Sequence, residues 1–91
     1  MNNYSKHTIL ELLDPVTIKA VTALYQLRLK HIGYRLNCTP QAVKYNLDND
    51  SFKQWQKEKI LDLFMDHGIE VAELILINSM AIKKGKNYEI H

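Results

Sequence analysis

Three groups of side chains in this 91-residue chain are of types that could do chemistry. Glu70 and Glu73 would lie one turn apart on a helix, and paired acids can share acid–base work. No nucleophile or glycine-rich loop accompanies them, so Glu70 reads instead as a charge complement to the start of a helix, and nothing argues for an enzyme. His7, His31, His67 and His91 lack metal-ligand spacing, and Cys38, the single cysteine, cannot complete a structural zinc site. No metal, cofactor or small-molecule substrate is expected. The third group is a charge distribution. The net charge is only +2, yet residues 15–47 carry Lys19, Arg28, Lys30, Arg35 and Lys44 and no acid, while the rest of the chain mixes both signs. A basic, acid-free stretch is what a phosphate-facing surface needs. A chance excess on a solvated face would give the same count.

The elements that must position these residues are helices. Gly and Pro are scarce, at 3 and 2 copies, which favours helices joined by short turns over a β-sandwich. Residues 8–13 can form a short helix. Asp14-Pro15 supplies an N-cap and a first helical residue for the next. From there Ile18, Val21, Leu24, Tyr25, Leu29, Ile32 and Leu36 recur at helical steps. No clear break separates Val16 from Asn37, so one long helix or two are both open. Asn37-Cys38-Thr39-Pro40 interrupts the stripe, and Thr39 and Pro40 repeat the cap-and-start chemistry for a helix from Pro40 to about Leu47. Residues 48–51 read as a turn with a further N-cap. The following helix is expected to carry Phe52, Trp55, Ile60, Leu63 and Phe64 on one side and to end at His67-Gly68. A last helix is expected from Ile69 to Lys83, closed by Lys84-Gly85-Lys86, with a loose or edge-strand tail. The fold class is therefore all-α: one compact bundle of five or six helices, with a core over about 8–83 and loose tails at 1–7 and 84–91.

Residues 29–47, LKHIGYRLNCTPQAVKYNL, have the order a helix-turn-helix requires. Two helices packed steeply across a tight turn need a tiny residue in the first, and Gly33 sits there between Ile32 and Leu36. The turn needs a residue that tolerates left-handed backbone, which Asn37 does. Cys38 is a small, commonly buried type suited to plug the core beside it. The second helix buries Ala42, Val43 and Leu47, which leaves Gln41, Lys44 and Tyr45 facing outward. A helix-turn-helix used only as a structural corner has no need of that outward set.

The run Ile32-Gly33, Leu36-Asn37-Cys38, Thr39-Pro40-Gln41-Ala42-Val43 and Lys44-Tyr45 resembles the helix-turn-helix of the Cro and phage-repressor (lambda-repressor-like) superfamily. TPQAVKY is similar to the start of the recognition helix in small Cro-like regulators. Asn37 stands where that family usually has Gly. The resemblance covers about 20 residues. It implies a DNA-binding transcriptional regulator of phage or mobile-element type that acts by occupying an operator, as repressors do. It implies that Thr39, Pro40, Gln41, Lys44 and Tyr45 approach the major groove. Gln41 would pair with adenine, Lys44 with guanine or a phosphate, and Tyr45 with a thymine methyl or a phosphate. Thr39 and the helix start would hold a backbone phosphate, and Arg28, Lys30 and Arg35 would meet flanking phosphates.

Leu74, Ile75, Leu76 and Ile77 are consecutive and so point in every direction around a helix. One reading packs this helix on its own domain with one face and on a second subunit with Leu74, Ile75, Ile77 and Met80. That makes a two-fold dimer suited to a palindromic operator on double-stranded DNA. The other reading makes it a central core helix. The apolar stretch 71–82 is broken by Glu73, Asn78 and Ser79 and falls short of the roughly 20 residues a membrane span needs. With one cysteine and no signal-like start, the expectation is a cytosolic protein without membrane contact. Two rival functions fit the same pattern: an antitoxin- or inhibitor-like interaction module whose helix-turn-helix does not read DNA, and a non-specific nucleoid-like binder.

Overall fold

The computed structural model describes the backbone of residues 5–90 and the side chains of residues 5–80. It consists of six helices in chain order: α1 Lys6–Glu11, α2 Pro15–Leu24, α3 Leu29–Leu36, α4 Pro40–Asn49, α5 Gln54–Asp66 and α6 Val71–Ile90. The chain is an all-α bundle, with no strand among the described residues.

Each start has a local cause. Ser5 accepts from the Thr8 N–H at 3.1 Å, Asp14 from Thr17 at 2.8 Å and Thr39 from Ala42 at 3.1 Å, with Pro15 and Pro40 first in their helices. The other three starts use a side chain reaching back from the third helical position. His31 Nδ1 accepts from the Arg28 N–H at 2.9 Å, Gln56 from Lys53 at 2.8 Å and Glu73 from Glu70 at 3.0 Å. The N-cap before α5 is thus Lys53, not a residue in 48–51. Glu73 rather than the Glu70 side chain completes the start of α6.

Four helices end by one device, in which a left-handed residue lets its own N–H and that of the next residue turn back onto the last carbonyls. Gln26, Asn37, Asp50 and Gly68 hold φ of 55°, 58°, 50° and 89°. The wider closing bonds are Leu27 N–H to Thr22, Cys38 to Gly33, Ser51 to Asn46 and Ile69 to Phe64, at 2.8, 2.9, 3.0 and 3.2 Å. The bend at Gln26 settles the open question between Val16 and Asn37: there are two helices.

α2 lies antiparallel on α6, α3 packs on both α4 and α5, and α1 leans on α5. Leu13, Ile18, Val21, Ile32, Val43, Ile60, Phe64 and Leu74 are sealed in the shared core. Each such side chain contributes roughly 1.5–3 kcal/mol on burial. One polar knot sits among them. Asn78 Nδ2 donates to the Leu12 carbonyl at 3.0 Å, Thr17 Oγ1 at 3.1 Å and Asp14 Oδ2 at 3.4 Å, which ties α6 to the corner between α1 and α2.

Several expectations are corrected. α1 starts before residue 8, and α4 continues to Asn49. Trp55 is 49% exposed. It lies nine positions before Phe64, which is half a turn out of phase and on the opposite side of α5. Phe52 precedes α5 and is half-buried. The backbone stays helical through Lys84-Gly85-Lys86 to Ile90, so no loose tail begins at 84. The expected N-terminal tail at 1–7 falls partly outside the described residues.

Candidate nucleic-acid interface

The α3–α4 unit owes its shape to a close approach of backbone. A Cβ on Gly33 would sit 2.6 Å from the Cys38 carbonyl oxygen, so only glycine lets the chain fold back at this distance. Asn37 supplies the left-handed turn, and Thr39 starts α4 at once. Cys38 packs part-way onto the core, as expected of a plug. Val43 and Leu47 are buried beneath α4, Ala42 and Asn46 are intermediate, and Gln41, Lys44, Tyr45 and Asp48 are exposed. The three expected outward residues share one edge, and Tyr45 is 66% exposed.

The start of α4 has two polar groups available to a ligand. Thr39 Oγ1 accepts from Ala42, but its hydroxyl proton is still available to donate. Pro40 has no N–H, the Ala42 N–H is held by Thr39 Oγ1, and the Val43 N–H is held by the Thr39 carbonyl. The Gln41 N–H is therefore the open donor of this turn.

The electrostatics depart from the linear pattern. Three of the five basic residues meet carboxylates from outside the acid-free stretch. Lys44 Nζ lies 2.8 Å from Asp48 Oδ2, Lys19 Nζ lies 3.6 Å from Asp48 Oδ1, and Arg35 Nη2 lies 2.5 Å from Asp66 Oδ2. The Lys44 hydrogen bond is the main cause that holds the Asp48 carboxyl below the usual carboxylate range; the charges of Lys44 and Lys19 assist. Arg28 and Lys30, at the start of α3, are exposed and make no ion pair among the described residues. Arg35 joins α3 to α5 through Asp66, so its charge, unlike that of Arg28 and Lys30, is partnered within the fold.

Two residues escaped the sequence reading. Tyr34 is 81% exposed on α3, and with Gly33, Asn37, Cys38 and Thr39 it lines an open groove of about 360 Å³ at the bend. Its only signal was that it falls off the apolar stripe. Asp48 was legible from its four-residue spacing to Lys44, but the expected helix stopped one residue short of it.

The expected dimer surface divides. Leu74 is 0% exposed inside its own domain and cannot meet a second subunit. Ile75 and Ile77 are half-buried, and Ile77 packs on the core. Met80 is exposed, together with Leu76 one turn before it. On α2, Val16 and Leu24 are also exposed. Nearby, the Tyr25 hydroxyl donates to Glu73 Oε2 at 2.8 Å, which joins the end of α2 to the start of α6. That bond is the leading reason the Tyr25 pKa rises. The Glu70 N–H, then Tyr25, hold the Glu73 carboxyl below its ordinary value.

Among the described residues, no three His, Cys, Asp or Glu side chains gather in a way that could hold a metal ion. No described helix is long and apolar enough to cross a membrane. In comparisons with known proteins, no family model, no curated protein and no solved structure matches this chain.

Proposed function

We propose that this chain is a sequence-specific regulator that binds double-stranded DNA through its helix-turn-helix and acts as a Cro-like repressor of phage or prophage type. The observation that carries the reading is the bend at residues 37–39. It projects Gln41, Lys44 and Tyr45 from one edge of α4 while Val43 and Leu47 anchor the other. A helix presented this way fits the major groove, where side chains reach base edges.

In that role the Gln41 amide pairs with adenine N6 and N7. Lys44 reaches guanine, and Tyr45 packs on a thymine methyl. The Thr39 hydroxyl and the Gln41 N–H take a backbone phosphate at the start of α4. Arg28 and Lys30 meet the flanking strand. Two copies related by a two-fold axis would read a palindromic operator with half-sites about one DNA turn, roughly 34 Å, apart. Among the described residues, Leu76 and Met80 are the exposed large apolar side chains of α6 available to that dimer.

Titration against random duplex and against sequences enriched by selection, at two salt concentrations, tests the proposal. A regulator of this kind prefers its selected site by about 1,000-fold or more. Strong salt dependence without preference identifies a non-specific binder. An interaction module without DNA readout is favoured by the exposed apolar side chains of α2 and α6 and by the internally paired lysines. Absence of useful affinity for either duplex would select it.

A further inference from the structure

We infer that Asp48 is a specificity-determining residue of the proposed DNA interface: it tethers the Lys44 ammonium on the reading edge of α4 and so withholds that charge from whichever phosphate lies nearest. The inference rests on the DNA-binding reading of α4.

Gln41, Lys44 and Asp48 recur at steps of three and four, so they share one face of α4. Asp48 is exposed there, with Lys44 Nζ at 2.8 Å on one oxygen and Lys19 Nζ of α2 at 3.6 Å on the other. Two lysines from two helices thus converge on a single carboxylate.

Helix stability does not account for an acid at this place. Asp48 stands in the last turn of α4, where the helix dipole disfavours negative charge. The order Lys44 before Asp48 is the weaker orientation of a four-residue ion pair. A carboxylate on a face turned toward a polyanion adds repulsion to both costs. The bond to Lys44 still keeps Asp48 ionised, because it pulls the carboxyl below its usual range. What the acid does provide is control over Lys44. A lysine held by its own helix releases no counterion from DNA until it leaves that partner, so it adds little to sequence-independent attraction. At a cognate site a base edge within reach of the tethered ammonium can compete for it. At random sequence the loose swing to a phosphate is opposed.

The test compares wild type, Asp48→Asn, Lys44→Gln and the double variant on random duplex and on the selected site, across a salt series. Asp48→Asn is expected to bind random duplex about threefold to tenfold more tightly near 0.1 M salt, and to steepen the logarithmic salt slope by roughly 0.9, one added phosphate contact. Its preference for the selected site should narrow by a similar factor. In the Lys44→Gln background the same change should give a clearly smaller gain, the part owed to the carboxylate's own repulsion and to its looser hold on Lys19. Circular dichroism melts confirm that all four proteins are folded. An unchanged salt slope and preference in Asp48→Asn overturns the inference. So does a gain of equal size in the Lys44→Gln background, which would report bulk charge instead of a tether. If wild type prefers its site and Asp48→Asn behaves identically, this inference alone falls. If neither protein binds either duplex at low salt, the DNA-binding reading falls with it.

Discussion

At the α3–α4 bend backbone meets backbone, whereas between α2 and α6 side chains do the joining. Gly33 and the Cys38 carbonyl touch across five residues of chain, and Asn37 and Thr39 complete the corner within the same segment. The α2–α6 pair is linked by Tyr25 with Glu73 and by Asn78 with Asp14 and Thr17, contacts that span 48 to 64 residues. A local backbone contact fixes an angle and leaves little to adjust. A distant side-chain contact forms only when the whole domain assembles, and it sets how firmly the domain holds. The geometry of the reading edge and the stability of the domain are therefore governed by different residues, and substitutions should separate them.

Gly33→Val tests the backbone side and should have the largest effect. The added carbons run into a carbonyl that cannot move without opening the bend. Overpacking of this kind costs about 3 kcal/mol or more, a large part of a small domain's stability. Loss of the cooperative melt in circular dichroism is expected; a wild-type-like melt would remove the close approach as the basis of the corner. Asn78→Ala tests the other side. It strips an amide NH2, with its two N–H donors, from three acceptors and should cost about 2 kcal/mol. That corresponds to a fall of roughly 10 °C in Tm for a domain of this length. Affinity for a selected duplex, measured where the variant is still folded, should not change. Gln41→Ala is the converse: roughly 1–3 kcal/mol of discrimination lost at one base pair, with Tm within a degree or two of wild type. Selected-site binding equal to wild type would mean that α4 is not the reading helix.

The smallest effect is one of pH. Glu73 is depressed below its ordinary value of 4.5 in the folded protein, so its contribution is present above that value and lost as pH falls through the folded one. Tyr25→Phe removes one of the two bonds responsible. The Tm advantage of wild type over Tyr25→Phe should hold at pH 6 and shrink toward pH 3. An advantage that does not vary with pH would assign the contact to packing alone.

The features that could be read from sequence are those made by neighbours in the chain. Asp14-Pro15 and Thr39-Pro40 announce helix starts because cap and first residue are adjacent, and His67-Gly68 announces an end for the same reason. Gln26 gives no such notice. Glutamine has no liking for left-handed backbone, and the bend there is imposed because Val21 and Ile32 reach one core from two directions. The acid-free stretch was real in sequence and not in space. Asp66 reaches Arg35 from 31 residues away, and Asp48 lies just past the boundary. The outward edge Gln41, Lys44 and Tyr45 was legible because helical spacing with Val43 and Leu47 fixes it. The proposed dimer set failed at Leu74 because its residues were drawn from two faces of one helix, the inner and the outer.

The repeated helix ending has a chemical consequence. Gln26, Asn37 and Asp50 each hold a backbone shape that an L-amino acid adopts only at a cost and that its mirror image adopts freely. A chain assembled by peptide ligation with D-glutamine, D-asparagine or D-aspartate at those three corners would keep every side chain's functional group and relieve the corner it occupies. The same exchange one residue before Asn37 or Asp50, on the last residue of the preceding helix, would break that helix's end. The handedness of three single residues marks where this molecule turns.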